Sequence, residues 1–336
     1  MQSTSRATRV TDQGYSAGPI PSTSELSPVQ INWPDGKRFA FTAFDDADYD
    51  RLHNVKPVYD FLRELGIFTT KSIWPLAPER DAPLGGLSTE NPEYLAWTLD
   101  LQRAGFEIGY HGARCHSSNR EATVRGLAQF REQFGHSPRS MSNHFQNVDS
   151  IYWGSARLTG LARVIYQLAN VRSKLRCEGH IATSPYFWGD LCRDQVGYVR
   201  NFVFREINTL KACPIMPYHD SAFPYVRAWY ASSEGGDVDS FVNMLAEKNQ
   251  DQLASEGGAC IMYTHFAKGF FKDGRLDARF ERLMKRLAGM GGWFVPVSTL
   301  LDYLSERMGG VREITAPERN ELQWRWLLTK LRYGSS

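Results

Sequence analysis

From Arg38 onward, short apolar runs of strand character take turns with longer stretches of helical period, and this alternation narrows the fold more than anything else in the chain. RFAFTAF is followed by NVKPVYDFLRELG, IFTTKSIW by ENPEYLAWTLDLQRAG, and FEIGY by SNREATVRGLAQFREQFG. Strands separated by helices pair in parallel, because each crossover carries the chain back to the edge where it began. The expected class is α/β, a parallel sheet or barrel with helices outside.

Local signals fix several of these elements. Asn91 is placed to cap a helix whose first position is Pro92, and Gly66, Gly105 and Gly135 stand where helices stop. PRSMSN reads as a short strand. Beyond Tyr152 the pattern dissolves: SARLTGLARVIYQLA is helical, but SPYFWGD and MPYHD are aromatic loops, and residues 152–236 yield no clear order. Periodicity then returns. DVDSFVNMLAEKNQDQLA is expected as one helix, ACIMYT as a strand, LDARFERLMKRLAG as a helix, WFVPV as a strand and STLLDYLSERM as a helix capped by Ser298.

No repeat or linker divides the chain, so a single domain over 31–310 is expected. Residues 1–30, rich in Ser, Thr, Gly and Pro, read as an arm that either wraps the domain or stays mobile. Residues 311–336 contain ELQWRWLLTKLRY, an amphipathic, basic helical tail. Three fates suit such a tail: packing on the domain, a homo-oligomer contact, or peripheral contact with an anionic membrane.

Charge and cysteine content exclude several functions. Thirty-nine basic residues against thirty-seven acidic ones leave a net charge of +2, without the concentrated excess of a nucleic-acid binder. Five scattered cysteines with no CxxC pair argue against a disulfide framework or a thiolate zinc site, and favour a reducing compartment. The N-terminal stretch has no apolar signal region and no segment has the length of a membrane span, so the expected location is the cytoplasm.

Polar residues collect where strands end. FAFTAF runs into Asp45 and Asp46, FEIGY into His111 with His116 beyond it, RSMS into Asn143 and His144, and ACIMYT into His265. In a parallel barrel all of these reach the C-terminal rim, where reactive groups sit. Taken singly, each is more often a cap or turn residue; two histidines with a carboxylate, however, form a ligand set for zinc or a neighbouring divalent metal that leaves room for water. Asp45 and Asp46 are neighbours on a strand and face opposite sides, so divided roles are more natural than a shared one.

TAFDD, GYHGARCHSS and IMYTHF, in this order and followed by WFVPVSTLLDYL, resemble the motifs of the NodB-homology polysaccharide deacetylases, carbohydrate esterase family 4. The resemblance spans roughly residues 38–305. It implies a distorted (β/α) barrel, a divalent metal such as zinc, and removal of an acetyl group, N- or O-linked, from a sugar of a polysaccharide or its precursor. Carried over by position, it implies Asp46, His111 and His116 as metal ligands, Asp45 as general base and His265 as general acid. Two departures stand out. Four residues separate His111 from His116, where the family has three, and the family's R-x-P-Y is replaced by PRSMSNHFQN, leaving Arg139, Asn143 or His144 as substitutes for its arginine.

Asn143, His144 and Asn147 belong to a loop expected to border the pocket, and with Trp188 and His219 they are the candidate sugar contacts. Two other readings are compatible with the departures: a metal-independent amidohydrolase acting on a ureide or imide, and an inactive relative that binds glycans.

Overall fold

In the computed structural model, residues 30–170 and 176–334 are described. All but the last residue of the expected arm lies outside them. Seven parallel strands close a barrel: β1 (Ala40–Asp45), β2 (Thr70–Ile73), β3 (Glu107–Tyr110), β4 (Ser140–Met141), β5 (Tyr198–Phe204), β6 (Ala228–Ser233) and β7 (Ala259–Thr264). Closure comes from β1, which pairs with β2 on one side and along its whole length with β7 on the other, Ala40 opposite Ala259 and Asp45 opposite Thr264. β4 contributes only two residues, and this short wall makes the barrel irregular.

Helices cover the outside for the reasons their sequences give. α1 (Leu52–Glu64) buries Val55, Val58, Tyr59 and Leu62. α2 (Pro92–Arg103) starts at Asn91, whose side chain accepts from the Tyr94 N–H at 2.9 Å, and α3 (Arg120–Phe134) ends at Gly135 in the left-handed conformation. α4 is Gly160–Ala169. α5 (Ala278–Ala288) buries Phe280, Leu283, Met284 and Leu287, the i, i+3, i+4, i+7 stripe of a helix lying on a core. α6 (Val297–Arg307) begins two residues earlier than the expected Ser298 cap implies. Pro296 holds the cap position, and the Ser298 N–H instead donates to Glu107 Oε2 at 2.9 Å. Glu107 also accepts from the Thr70 and Ser140 hydroxyls at 2.7 Å each, which ties three strands and a helix together at the N-terminal end of the barrel.

Two regions depart from the sequence reading. β5 and β6 lie in the stretch that looked irregular, because YVRNFVF places Arg200 and Asn201 inside an apolar run and AWYASS ends in two serines. Those polar residues are buried, so the hydrophobic pattern of a barrel strand is diluted there. The single helix expected over DVDSFVNMLAEKNQDQLA is two, Val238–Met244 and Glu247–Ser255, broken at Ala246. Side chains take over the freed carbonyls: Asn249 donates to Met244 O at 2.8 Å and Gln250 to Leu245 O at 3.0 Å.

The tail forms α7 (Ala316–Tyr333), opened by a Thr315–Glu318 capping box. It packs on the domain, burying Leu322, Trp326 and Leu327, while Leu328, Leu331 and Tyr333 stay exposed. Trp326 meets Tyr166 of α4 and Phe202 of β5. Among the described residues no helix is long and apolar enough to cross a membrane, and all five cysteines are free thiols.

Candidate active site

The acidic run at the end of β1 is divided by strand geometry. Alternation turns Asp45 outward, towards the helices, and Asp46 inward, towards the barrel lumen. Asp45 lies opposite Lys71 in the β1–β2 register, and its carboxylate is fully engaged, accepting from Lys71 Nζ at 2.7 Å, Tyr59 OH at 3.0 Å and the Phe266 N–H at 2.7 Å. Asp50 closes the same network from the other side, 2.7 Å from Lys71 Nζ and accepting from Tyr94 OH at 2.6 Å. Burial and the neighbouring Asp45 push the Asp50 carboxyl up against the pull of Lys71, while the two acids hold the Lys71 ammonium above its usual range despite burial.

Asp46 faces a different partner. Arg200, from β5, grips it with two nitrogens at 3.1 and 2.6 Å, and the Ser142 hydroxyl donates to it at 2.7 Å. Burial raises its carboxyl, but Arg200, His111 and His265 outweigh that and hold it below the usual carboxylate range. The guanidinium is itself packed over the Tyr263 ring at 4.4 Å and so presents one edge to the acid.

Asp48 is the centre of the site. His111 Nε2 lies 3.2 Å from its carboxylate, His144 Nε2 3.1 Å and His265 Nε2 3.2 Å. The turn that brings it there is tight: Tyr49 takes a φ of 63°, and Gly86 packs so closely that a Cβ would stand 2.4 Å from Ala47 O. Trp74 braces two of the imidazoles, with its ring 5.6 Å from that of His111 and 5.5 Å from that of His144.

The hydrogen-bond network assigns the tautomers. Ser142 gives its proton to the Asp46 carboxylate, which can only accept, so His111 Nδ1, 2.8 Å from the same hydroxyl, must donate to it. His265 Nδ1 lies 2.6 Å from Gly236 O, and His144 Nδ1 lies 3.1 Å from the carboxamide oxygen of Asn147, both acceptors. With all three Nδ1 atoms donating, it is the three Nε2 atoms that converge on one carboxylate. Such a constellation repels itself unless protons or a cation lie within it. Asp48, His111 and His144 hold their donor atoms within 4.8 Å of one another, and so do Asp46, Asp48 and His265. Nitrogen and carboxylate donors, with the other nitrogen of every imidazole fixed by its own hydrogen bond, fit a divalent metal ion.

The sequence candidates thus fall into two groups. Asp46, His111, Asn143 and His265 line a pocket of about 480 Å³ together with Asp48, while His144 and Asn147 sit immediately behind it. Asp45 does not reach this pocket, because its carboxylate is spent on Lys71, Tyr59 and Phe266. Nor does His116: its Nε2 accepts from the Glu79 N–H at 3.1 Å in a separate surface cleft, so it is absent from both donor clusters. Trp188 is buried, with its indole N–H on Asp149 O at 2.6 Å, and His219 lies beside Glu313, 3.8 Å away. Arg139 pairs with Asp302 at the surface. Asp48 and Arg200 were not singled out in the sequence; the D-x-D spacing inside FDDADYD was the visible signal for the first, and nothing marked the second.

No protein-family model matches the sequence, and no curated protein matches it. Solved structures do. A Mycobacterium smegmatis protein described as a polysaccharide deacetylase superposes with a TM-score of 0.51 at 14% identity, over 88% of this chain and 100% of that one. A Pseudomonas aeruginosa PAO1 protein of the same description gives 0.49 at 11% identity, over 83% and 95% of the two chains. The PuuE allantoinase gives 0.49 at 12% identity, over 85% and 98%. At these identities the likeness is one of fold, and it agrees with the motif order: the chain is a (β/α) barrel of the polysaccharide-deacetylase type.

Proposed function

We propose that the protein is a metal-dependent hydrolase that removes an acetyl group, N-linked in preference to O-linked, from a sugar of a polysaccharide or its precursor. The observation that carries this reading is the convergence of three imidazole Nε2 atoms on the Asp48 carboxylate. Asp48, His111 and His144 would hold the ion, zinc or a close neighbour, in place of the Asp46, His111 and His116 set implied by the motifs. Bound there, a divalent cation supplies Lewis-acid polarisation of the acetyl carbonyl and a more acidic water.

The chain's own groups perform the proton transfers. Asp46, kept ionised and aimed by Arg200 and Ser142, is the base that takes a proton from the attacking water, the role the motifs implied for Asp45. Arg200 does for this base what the family's missing arginine would do. His265, held by its Nδ1 contact with Gly236 O, presents Nε2 as the acid that protonates the departing nitrogen, without which an amine is a poor leaving group. Asn143 is itself locked, its side chain exchanging hydrogen bonds with the Ile151 backbone at 3.0 and 2.8 Å, so it shapes the pocket wall.

Metal analysis of the purified protein, combined with acetate release from a panel of N- and O-acetylated sugars, tests the reading. One equivalent of divalent metal, activity abolished by a chelator and restored by zinc or a related ion, is the expected result. Stoichiometric metal with no acetate released, or wild-type turnover in Asp48→Asn, would overturn it. Chelator-resistant hydrolysis of a cyclic ureide would support the metal-independent amidohydrolase instead.

A further inference from the structure

One face of the molecule carries apolar surface that the fold does not use. Of the eleven large apolar side chains exposed among the described residues, six lie on two helices, Leu161, Val164 and Leu168 on α4 and Leu328, Leu331 and Tyr333 on α7, each between 48% and 69% exposed. α4 is the sharper case. Its ten residues, GLARVIYQLA, carry a single charge, Arg163, and bury only Ala162, while Leu161, Val164 and Leu168 follow the i, i+3, i+7 spacing of one stripe. A helix of a globular domain turns such a stripe inward. This one turns it to solvent, which single apolar residues scattered over a surface do not amount to.

The two helices are neighbours. Tyr166 of α4 packs on Trp326 of α7 with ring centroids 5.6 Å apart, and the Thr159 N–H at the start of α4 donates to Gln323 Oε1 at 3.1 Å. This packing uses Tyr166, Gln323 and Trp326 and leaves both stripes uncovered. The charge that accompanies them has one sign. Residues 150–177 and 322–336 contain no aspartate or glutamate, although acids and bases are almost balanced over the whole chain. Arg163 and Arg332 are exposed on the two helices, and Arg332 and the exposed Arg205 each lie over the Tyr333 ring at 5.1 Å.

Apolar side chains in the company of arginines suit an anionic lipid surface: the apolar groups enter the boundary between headgroups and acyl chains, and the guanidinium groups stay with the lipid phosphates. A second copy of the chain suits the face less well, because a two-fold pairing would set the arginines of one copy against the same arginines of the other. Both helices also reach the active site, where Tyr166 of α4 and Gly334 at the end of α7 line the pocket. We infer that the α4–α7 face is a peripheral docking surface for an anionic membrane, and that it holds the mouth of the pocket beside the headgroup layer. Docking of this kind requires no particular chemistry within the pocket.

Co-sedimentation of the whole chain with vesicles tests the assignment, using phosphatidylcholine alone and phosphatidylcholine with about one third phosphatidylglycerol. The mixed vesicles are expected to bind about tenfold or more tightly, an advantage lost at high salt. Leu168→Glu and Leu331→Glu, both at exposed positions, are each expected to weaken that binding at least about tenfold with the circular dichroism spectrum unchanged, and Arg163→Gln and Arg332→Gln about fivefold each. Absence of binding to the mixed vesicles, or binding that none of the four substitutions weakens, overturns the membrane surface. So does a dimer in sedimentation equilibrium that Leu168→Glu dissociates while vesicles are ignored, since the face would then belong to a second copy.

Discussion

Four carboxylates leave the end of β1, and they settle into two environments. Asp45 and Asp50 turn into the wall and share Lys71, and each also accepts from a phenol hydroxyl, Asp45 from Tyr59 and Asp50 from Tyr94. Asp46 and Asp48 turn into the lumen, where one meets Arg200 and the other three imidazoles. The wall cluster is buried and turned away from the pocket, its two acids held on one ammonium. The lumen cluster is open on its pocket side and turns three imidazole nitrogens towards one carboxylate. The difference shows that acid density alone does not mark a reactive centre; the direction in which the strand end and the turn after it point each residue decides which carboxylate faces the wall and which the pocket.

If the two clusters differ in this way, removing an acid from each should produce different failures. Asp48→Asn is expected to bring the largest change, a fall of about a thousandfold or more in kcat/KM with loss of the bound metal, because the carboxylate is the only anionic member of its ligand set. Steady-state kinetics with metal analysis on the same preparation checks it. Retention of both metal and activity would erase the distinction between the clusters.

The corresponding change in the wall is Lys71→Met, which leaves Asp45 and Asp50 facing each other in a fully buried site. Removing one partner of a buried ion pair costs about 3–5 kcal/mol. The expected readout is a lower urea midpoint, with metal content per folded molecule unchanged. A stable variant that had lost its metal would mean that the wall cluster serves the site directly.

Ser142→Ala sharpens the comparison from the lumen side. The hydroxyl links His111 Nδ1 to Asp46, so its loss frees the imidazole tautomer and removes one of the contacts that aim the base. Outer partners of metal-site histidines are worth about ten- to a hundredfold, and kcat should fall within that range while the urea midpoint shifts little. Zinc titration monitored by competition with a chromogenic chelator separates weakened metal binding from a misaimed base.

The ladder of strand and helix was legible because it depends on periodicity, and the positions of His111 and His265 were legible because each directly follows a clear strand. Arg200 was hidden for the opposite reason. It sits inside β5, where a buried polar residue breaks the apolar pattern by which strands are recognised, and its partner is 154 residues away in sequence. The acids were visible, but their roles follow from orientation. Motif order assigns base and ligand to Asp45 and Asp46, whereas the end of β1 turns Asp46 to the lumen and the tight turn after it brings Asp48 there. The wider spacing in GYHGARCHSS accompanies a second histidine that lies in a surface cleft, and the loop after β4, taken for a sugar contact, places His144 against Asp48.

This exchange of one histidine for another gives the smallest expected effect and the most direct contrast. His116 accepts a backbone N–H from Glu79 on the protein surface, so His116→Ala should leave metal content intact and change kcat/KM by less than about threefold, the scale of a surface substitution. His144→Ala should strip or weaken the metal, because it removes an Nε2 that faces Asp48 at 3.1 Å with its other nitrogen fixed on Asn147. The paired measurement is metal affinity at equal protein concentration in the two variants. Loss of metal in His116→Ala with retention in His144→Ala would restore the motif-based ligand set, and would mean that the loop after β3 folds back on the barrel when the ion binds.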